Sequence, residues 1–408
     1  MNSPWITVVG IGDDGLDGLP EKTRGLLDGA DLLVGGDRHQ AMAPDSKAER
    51  LTWACGLDKA MAAMEAWRGK RVVVLATGDP MCFGAGTSLR RRFAPEELTV
   101  IPHVSVFSHA AARMGWSLPD CDQVTLHGRA VENIRRFIQP GVRIIALSWN
   151  GETPKAVAEI LEERGFGRSA VTVFEHLGGD AEKRIDGMAK TWKARTVAQL
   201  NTLCVDCVAG PGAVALPTVP GLPEGAFEHD RPITKREVRA ATLAKLMPGP
   251  GQLLWDVGSG CGSVSIEWMR SCRNARAVAI EKNPSRLRMI EGNAKALGVP
   301  SLDIVEGVAP DCLAGLDGRP DAVFLGGGVS IPGLAETCLE YLNPGGRLVA
   351  NGVTVESESA LIQIFKTHPR AELTRLSISR AATVGAGGNL TGFKPMMAVT
   401  QLSVVKPW

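Results

Sequence analysis

Asp256-Val257-Gly258-Ser259-Gly260-Cys261-Gly262-Ser263-Val264 closes an apolar run that begins at Leu253. Three glycines at alternate positions, between that run and a helical pattern over 264–271, predict a strand, a tight turn and a helix. The next apolar run, 277–280, ends at Glu281 and is followed by Lys282, Asn283 and Pro284. An acidic residue at the tip of the second strand can accept hydrogen bonds from two ribose hydroxyls, and the glycines let a ligand approach the backbone. Dinucleotide binding shares this layout. Asp256 weighs against it, because a carboxylate repels a pyrophosphate. S-adenosylmethionine carries an amino group and a sulfonium, and a neighbouring carboxylate suits both. Among the cofactor contacts we place Asp256, Gly258, Ser259, Gly260, Gly262, Glu281 and Lys282.

Outward from this stretch the pattern continues as helices at 238–246 and 286–297 and strands at 303–305, 322–325, 347–351 and 398–404. Gly307, Val308 and Ala309 follow one strand tip and can border adenine. Gly327 and Gly328 end a run of three glycines after 322–325, on the side of an open sheet where ligands bind. The first half alternates in the same way, with strands at 6–10, 72–76, 100–101, 143–147 and 171–174 and helices at 57–67, 105–114 and 154–164. Both halves therefore read as α/β. Five prolines and four glycines between 209 and 232 mark a connecting segment. The expected domains are 1–208 and 233–408, joined by 209–232. Their glycine patterns differ, so the halves are not a duplication.

In the first half, Gly10 and Gly12 form one glycine turn, and Gly78, Asp79 and Pro80 with Gly84 form a second. Asp79 can orient an amino or hydroxyl group of a ligand or cap its own turn. Ser105 can meet a ligand or cap the helix that follows. Arg129 is suited to a substrate carboxylate through its guanidinium fork. Lys235, Arg236, Arg239 and Lys394 are further candidates, although charges on a helix surface or a hairpin give the same pattern.

Lys and Arg number 45 against 44 Asp and Glu, a net charge of +1. That balance lacks the basic field of a nucleic-acid binder. No apolar run nears the roughly 20 residues of a membrane span. The nine cysteines are odd in number and scattered. Cys204 and Cys207 have no second pair to complete a metal site, so free thiols in a reducing cytoplasm are expected, with no metal.

Taken together, Val8-Val9-Gly10-Ile11-Gly12, Ala76 to Gly86 and Thr125-Leu126-His127-Gly128-Arg129 look like the tetrapyrrole methylase pattern. Ile233 to Ala240, Asp256 to Val264, Phe324 to Gly328 and Gly392-Phe393-Lys394-Pro395-Met396 look like a C15-methylating, decarboxylating partner. The chain resembles the precorrin-6Y C5,C15-methyltransferase (decarboxylating) family of cobalamin biosynthesis over nearly its whole length. The resemblance implies a tetrapyrrole methylase fold joined to a Rossmann-like methyltransferase, with one S-adenosylmethionine bound by each. It also implies a carboxylate-rich precorrin substrate methylated at C5 and C15 with loss of the C12 acetate carboxyl, and homo-oligomer formation. Two departures stand out. Val308 occupies a position where relatives often carry a polar or acidic residue, and His103-Val104-Ser105-Val106 replaces a Gly-Ile-Ser-Ser-like turn. The competing readings are an NAD-dependent oxidoreductase and a nonenzymatic tetrapyrrole carrier. The carrier leaves two ligand-like turns without a chemical task.

Overall fold

The structure is a computed structural model that describes residues 4–54, 56–194, 196–384 and 390–408. The chain divides into two units. One comprises 4–131 with Pro140–Val214, the other Glu132–Gln139 with Ala215–Trp408.

The first unit opens with β1 (Ile6–Ile11), β2 (Leu32–Gly35), β3 (Glu49–Thr52), β4 (Val72–Thr77) and β5 (Leu98–Ile101), which form a parallel sheet in the order β3-β2-β4-β1-β5. Successive residues of these strands bury opposite faces. Val8, Val34, Val72 and Val74 pack on one side, while Val9, Leu33, Val73 and Leu75 pack on the other. Burial on both faces explains why the runs are continuously apolar rather than alternating. A second sheet follows from β6 (Cys121–Thr125), β7 (Arg143–Leu147), β8 (Ala170–Glu175), β9 (Lys183–Met188) and β10 (Asn201–Asp206), in the order β6-β7-β10-β8-β9.

The second unit is built on β11 (Leu253–Val257), β12 (Arg276–Glu281), β13 (Asp303–Glu306), β14 (Ala322–Leu325), β15 (Arg347–Gly352), β16 (Ala371–Leu376) and β19 (Val399–Val405). The seven strands run in the order β13-β12-β11-β14-β15-β19-β16, parallel except at β19, which is antiparallel to both neighbours. The order in which strands are added reverses between β11 and β14, a switch point of the kind that opens a crevice at the strand ends. β17 (Ser379–Val384) and β18 (Leu390–Pro395) pair as a separate hairpin.

Two expectations change here. From residue 215 onward the expected linker is part of the second unit, with Leu216, Leu222 and Phe227 buried in the same core as Leu254, Trp268 and Phe324. Arg239, expected to meet substrate, is 0% exposed and faces inward. Its Nε donates to Glu267 Oε1 at 2.6 Å, its Nη1 to the Thr234 carbonyl at 2.5 Å and its Nη2 to the Leu222 carbonyl. The guanidinium also lies 4.8 Å from the Phe227 ring centre. Glu267, on the helix Ser263–Ser271, accepts the amides of Gly221 at 2.6 Å and Leu222 at 2.9 Å. A helix-surface arginine and an inward one look alike in sequence. Here the upstream segment folds back and covers the helix, so Arg239 fastens that strap instead of binding substrate.

Removing one partner of a buried, hydrogen-bonded pair leaves an uncompensated charge. Arg239→Met is expected to lower the stability of the second unit by about 3–5 kcal/mol, read from urea unfolding followed by tryptophan fluorescence. A loss below about 1 kcal/mol would show that the two amides alone satisfy Glu267.

Candidate functional site

Parallel register brings the strand ends of the second unit to one level: Val257 pairs with Ile280 and Leu325, and Glu281 with Glu306. The loops beyond are stitched together. Gly258 and Ser259 N–H groups donate to the Ile280 carbonyl at 3.0 Å, Gly326 N–H to the Val257 carbonyl at 2.9 Å and Gly307 N–H to the Glu281 carbonyl at 3.2 Å. Gly258, Gly260 and Gly262 have φ of 73°, 62° and 80°. These left-handed values explain the glycine spacing. Gly258 also lies close against Gly327, where a Cβ would stand 3.2 Å from the Gly327 amide.

Asp256 lies at the end of β11 with no exposed surface. Its Oδ2 accepts three hydrogen bonds, from Ser259 Oγ at 2.8 Å, Ser265 N at 3.1 Å and Ser265 Oγ at 2.5 Å. Its Oδ1 is buried without a hydrogen-bond partner. Burial pushes the carboxyl up to about 6, against the pull of the serine hydrogen bonds, and the nearby Glu281 charge pushes in the same direction as burial. Glu281 is 6% exposed. It accepts the Gly260 amide on Oε2 at 2.9 Å and the Lys282 and Asn283 amides on Oε1 at 3.0 and 3.1 Å. The two carboxylates therefore hold the glycine loop from both sides. Lys282 itself is exposed, Val308 is 53% exposed and Ala309 is buried.

In the first unit a cavity opens between the two sheets, lined among others by Gly12, Asp13, Arg38, Thr77, Gly78 and His109. Gly10 lies tightly packed beside it, where a Cβ would fall 2.2 Å from the Gly78 carbonyl oxygen and 2.6 Å from the His103 amide. Gly78 has φ of 58°. The remaining residues of these turns do structural work. Asp79 accepts the Met81 amide at 2.8 Å, and a Cβ at Gly84 would meet the Pro80 carbonyl oxygen at 2.7 Å. Ser105 caps the helix Val106–Met114 through the Ser108 amide at 3.2 Å.

Sequence reasoning passed over Asp13, Arg38 and Thr77. Arg38 donates to Asp13 Oδ1 at 2.6 Å and to Thr77 Oγ1 at 2.8 Å, and His176 Nδ1 lies 3.1 Å from Asp13 Oδ2. Each of the three lies at or just past a strand tip, which was the available signal, but the adjacency of β2, β4 and β1 was not visible in the chain order. Of the other substrate candidates, Arg129 is exposed after β6 and Lys235 precedes the helix Arg236–Leu246. Arg236 is exposed, with its amide on Glu224 at 3.2 Å. Lys394 is exposed within β18, opposite Arg380, so it lies on a strand and not at the hairpin tip, which falls outside the described residues. Gly327 is exposed and Gly328 half-buried at the tip of β14.

Residues 6–191 match the family of Tetrapyrrole (Corrin/Porphyrin) Methylases, and residues 225–406 match the Precorrin methyltransferase domain. A Precorrin-6Y C(5,15)-methyltransferase (decarboxylating) from Sinorhizobium sp is 44% identical over 407 residues, 99% of this chain and 97% of that protein. The chain belongs to that family. A second member, from Mycobacterium tuberculosis (strain ATCC 25618 / H37Rv), is 41% identical over 98% of this chain and 100% of its own length. A Cobalt-precorrin-6B C(15)-methyltransferase (decarboxylating) from Salmonella typhi is 35% identical over 171 residues, 41% of this chain and 88% of that protein. The two α/β units are thus a tetrapyrrole methylase fold and a Rossmann-like methyltransferase fold. Membership makes the protein an enzyme, a methyltransferase that also decarboxylates. Among the described residues no helix is long and apolar enough to cross a membrane.

The raised Asp256 carboxyl carries a linkage consequence. Between the carboxyl's ordinary value of 3.8 and about 6, the fold holds a proton that the unfolded chain has released. Its contribution to stability is present below that window and is lost as pH rises through it, by about 3 kcal/mol. Asp256→Asn removes this slope. Urea titrations of both proteins from about pH 3.5 to 7 check it, and parallel curves would show that Asp256 binds its proton equally well folded and unfolded.

Proposed function

We propose that the protein methylates precorrin-6B (precorrin-6Y) at C5 and C15 and removes the C12 acetate carboxyl as carbon dioxide, giving precorrin-8X. S-adenosylmethionine is the donor, with one molecule for each unit. The observation that carries the reading is the match of 44% identity along 99% of the chain to a protein named for both methylations and the decarboxylation.

The residues of the second unit fit this donor. Asp256 offers a buried oxygen without a partner, and beside it Gly260 leaves open space where a Cβ would be. A negative, glycine-lined cradle suits an amino group and a sulfonium and repels a pyrophosphate, which disfavours the NAD reading. When bound, the donor supplies an electrophilic methyl on a positively charged sulfur. The chain's own part is to hold that group and the ring carbon in line and to keep water out. Asp256 would orient the cationic end, and Glu281 would hold the ribose while fixing the loop through the Gly260 amide. Gly327, which lies against Gly258, and Gly328 after it would form the substrate side. In the first unit, Gly12 and Gly78 would line the corresponding place.

We assign C15 methylation and decarboxylation together to the second unit and C5 methylation to the first. A relative less than half as long as this chain is named for C15 methylation and decarboxylation jointly, which supports keeping both in one unit. Carbon dioxide can leave with its bonding electrons passing into the conjugated imines of the ring, and a proton then adds to the remaining carbon. Free thiols, such as the fully buried Cys204, suit a cytoplasmic setting.

Incubating the full chain with metal-free precorrin-6B and methyl-labelled donor is expected to give a product with two labelled methyl groups and one carboxyl fewer by mass. Gly258→Val, which forces a branched side chain into a left-handed backbone beside Gly327, should remove C15 methylation and carbon dioxide release together. Separation of those two losses would break the assignment of both to one unit.

A further inference from the structure

Arg38 is the second residue of the short helix Asp37–Met42, just past the tip of β2, and lines the cavity of the first unit. Its guanidinium is fixed on two sides, by Asp13 Oδ1 at 2.6 Å and Thr77 Oγ1 at 2.8 Å. Those supports come from the ends of β1 and β4, the two strands that follow β2 across the sheet. Behind the same hydroxyl stands His39, with Nε2 3.0 Å from Thr77 Oγ1. Burial and the Arg38 charge lower His39 to about 4, so it stays neutral and adds no competing charge. The second oxygen of Asp13 is engaged by His176 Nδ1 at 3.1 Å.

A guanidinium has five N–H donors in a rigid plane. Two of those of Arg38 are used among the described residues, which leaves three with the plane already oriented. Its side chain is 33% exposed. An arginine held this way loses little freedom on meeting a planar anion, and charge-assisted forks to carboxylates are among the stronger hydrogen bonds. Arg129 is exposed and, among the described residues, has no such supports. The other charged or titratable groups on the cavity wall are Asp13, Asp14 and His109.

We propose that Arg38, held in plane by Asp13 and Thr77, is the group of the first unit that recognises a carboxylate of the substrate ring. The inference rests on the carboxylate-rich substrate proposed above and names the contact that would orient the ring for C5 methylation. Arg38 positions the ring and takes no part in bond making.

The test uses the full chain with Arg38→Gln and Arg38→Lys. Measured in each are kcat and KM for C5 methylation, C15 methylation in the same reaction, and S-adenosylmethionine affinity by calorimetry. Arg38→Gln is expected to raise the ring KM of C5 methylation about tenfold to hundredfold with kcat changed far less. Donor affinity and C15 methylation should be preserved. Arg38→Lys, which keeps the charge without the fork, should recover only part of the loss. An unchanged KM, full recovery by lysine, or a fall in donor affinity in place of ring affinity would overturn the inference while leaving the proposed function standing. Failure of the unaltered chain to methylate either carbon would overturn both.

Discussion

Neighbouring strands in a parallel sheet point the same way, so their carboxyl ends come to one edge and the loops beyond them meet. Both candidate sites depend on that constraint. In the second unit it brings together the loops after β11, β12, β13 and β14, joined by backbone hydrogen bonds from Gly258, Gly307 and Gly326. In the first it brings Arg38, Thr77 and Asp13 to the ends of three adjacent strands. A site assembled this way needs few long side chains, because the backbone supplies most of the placement.

The two edges use charge differently. Asp256 is sealed from water, and its loop is closed around it by three hydrogen bonds to one oxygen. A carboxylate so desolvated interacts strongly with a nearby positive charge, since little solvent intervenes. Asp13 instead is already engaged on both oxygens, by Arg38 and His176. Its role is to set the direction of another group. The contrast suits the roles proposed for them, a cation held at Asp256 and a carboxylate met by Arg38.

Much of this was legible in the chain. The run from Leu253 to Val264 named its own strand, turn and helix because left-handed glycines and a buried strand leave strong local marks. The expectation of two units came from the proline- and glycine-rich stretch at 209–232 between two α/β patterns. Arg239 was not legible, since its partner Glu267 lies 28 residues away and its cover comes from the strap at 221–222. Nor was Arg38, because strand order decides which tips are neighbours and order is a property of tertiary pairing. Asp79 and Ser105 had been left open between ligand contact and capping, and the structure gives each a backbone amide to hold.

The strap fastened by Glu267 also bears on where the second unit can be cut from the rest of the chain. The match to the Precorrin methyltransferase domain starts at residue 225, yet two of the three groups that hydrogen-bond the buried Glu267 carboxylate belong to Gly221 and Leu222. A fragment begun there would discard both amides and leave the buried Glu267 carboxylate with Arg239 alone. The stretch that matches the domain is therefore shorter than the stretch that must fold, and any dissection of the two halves has to respect the longer one.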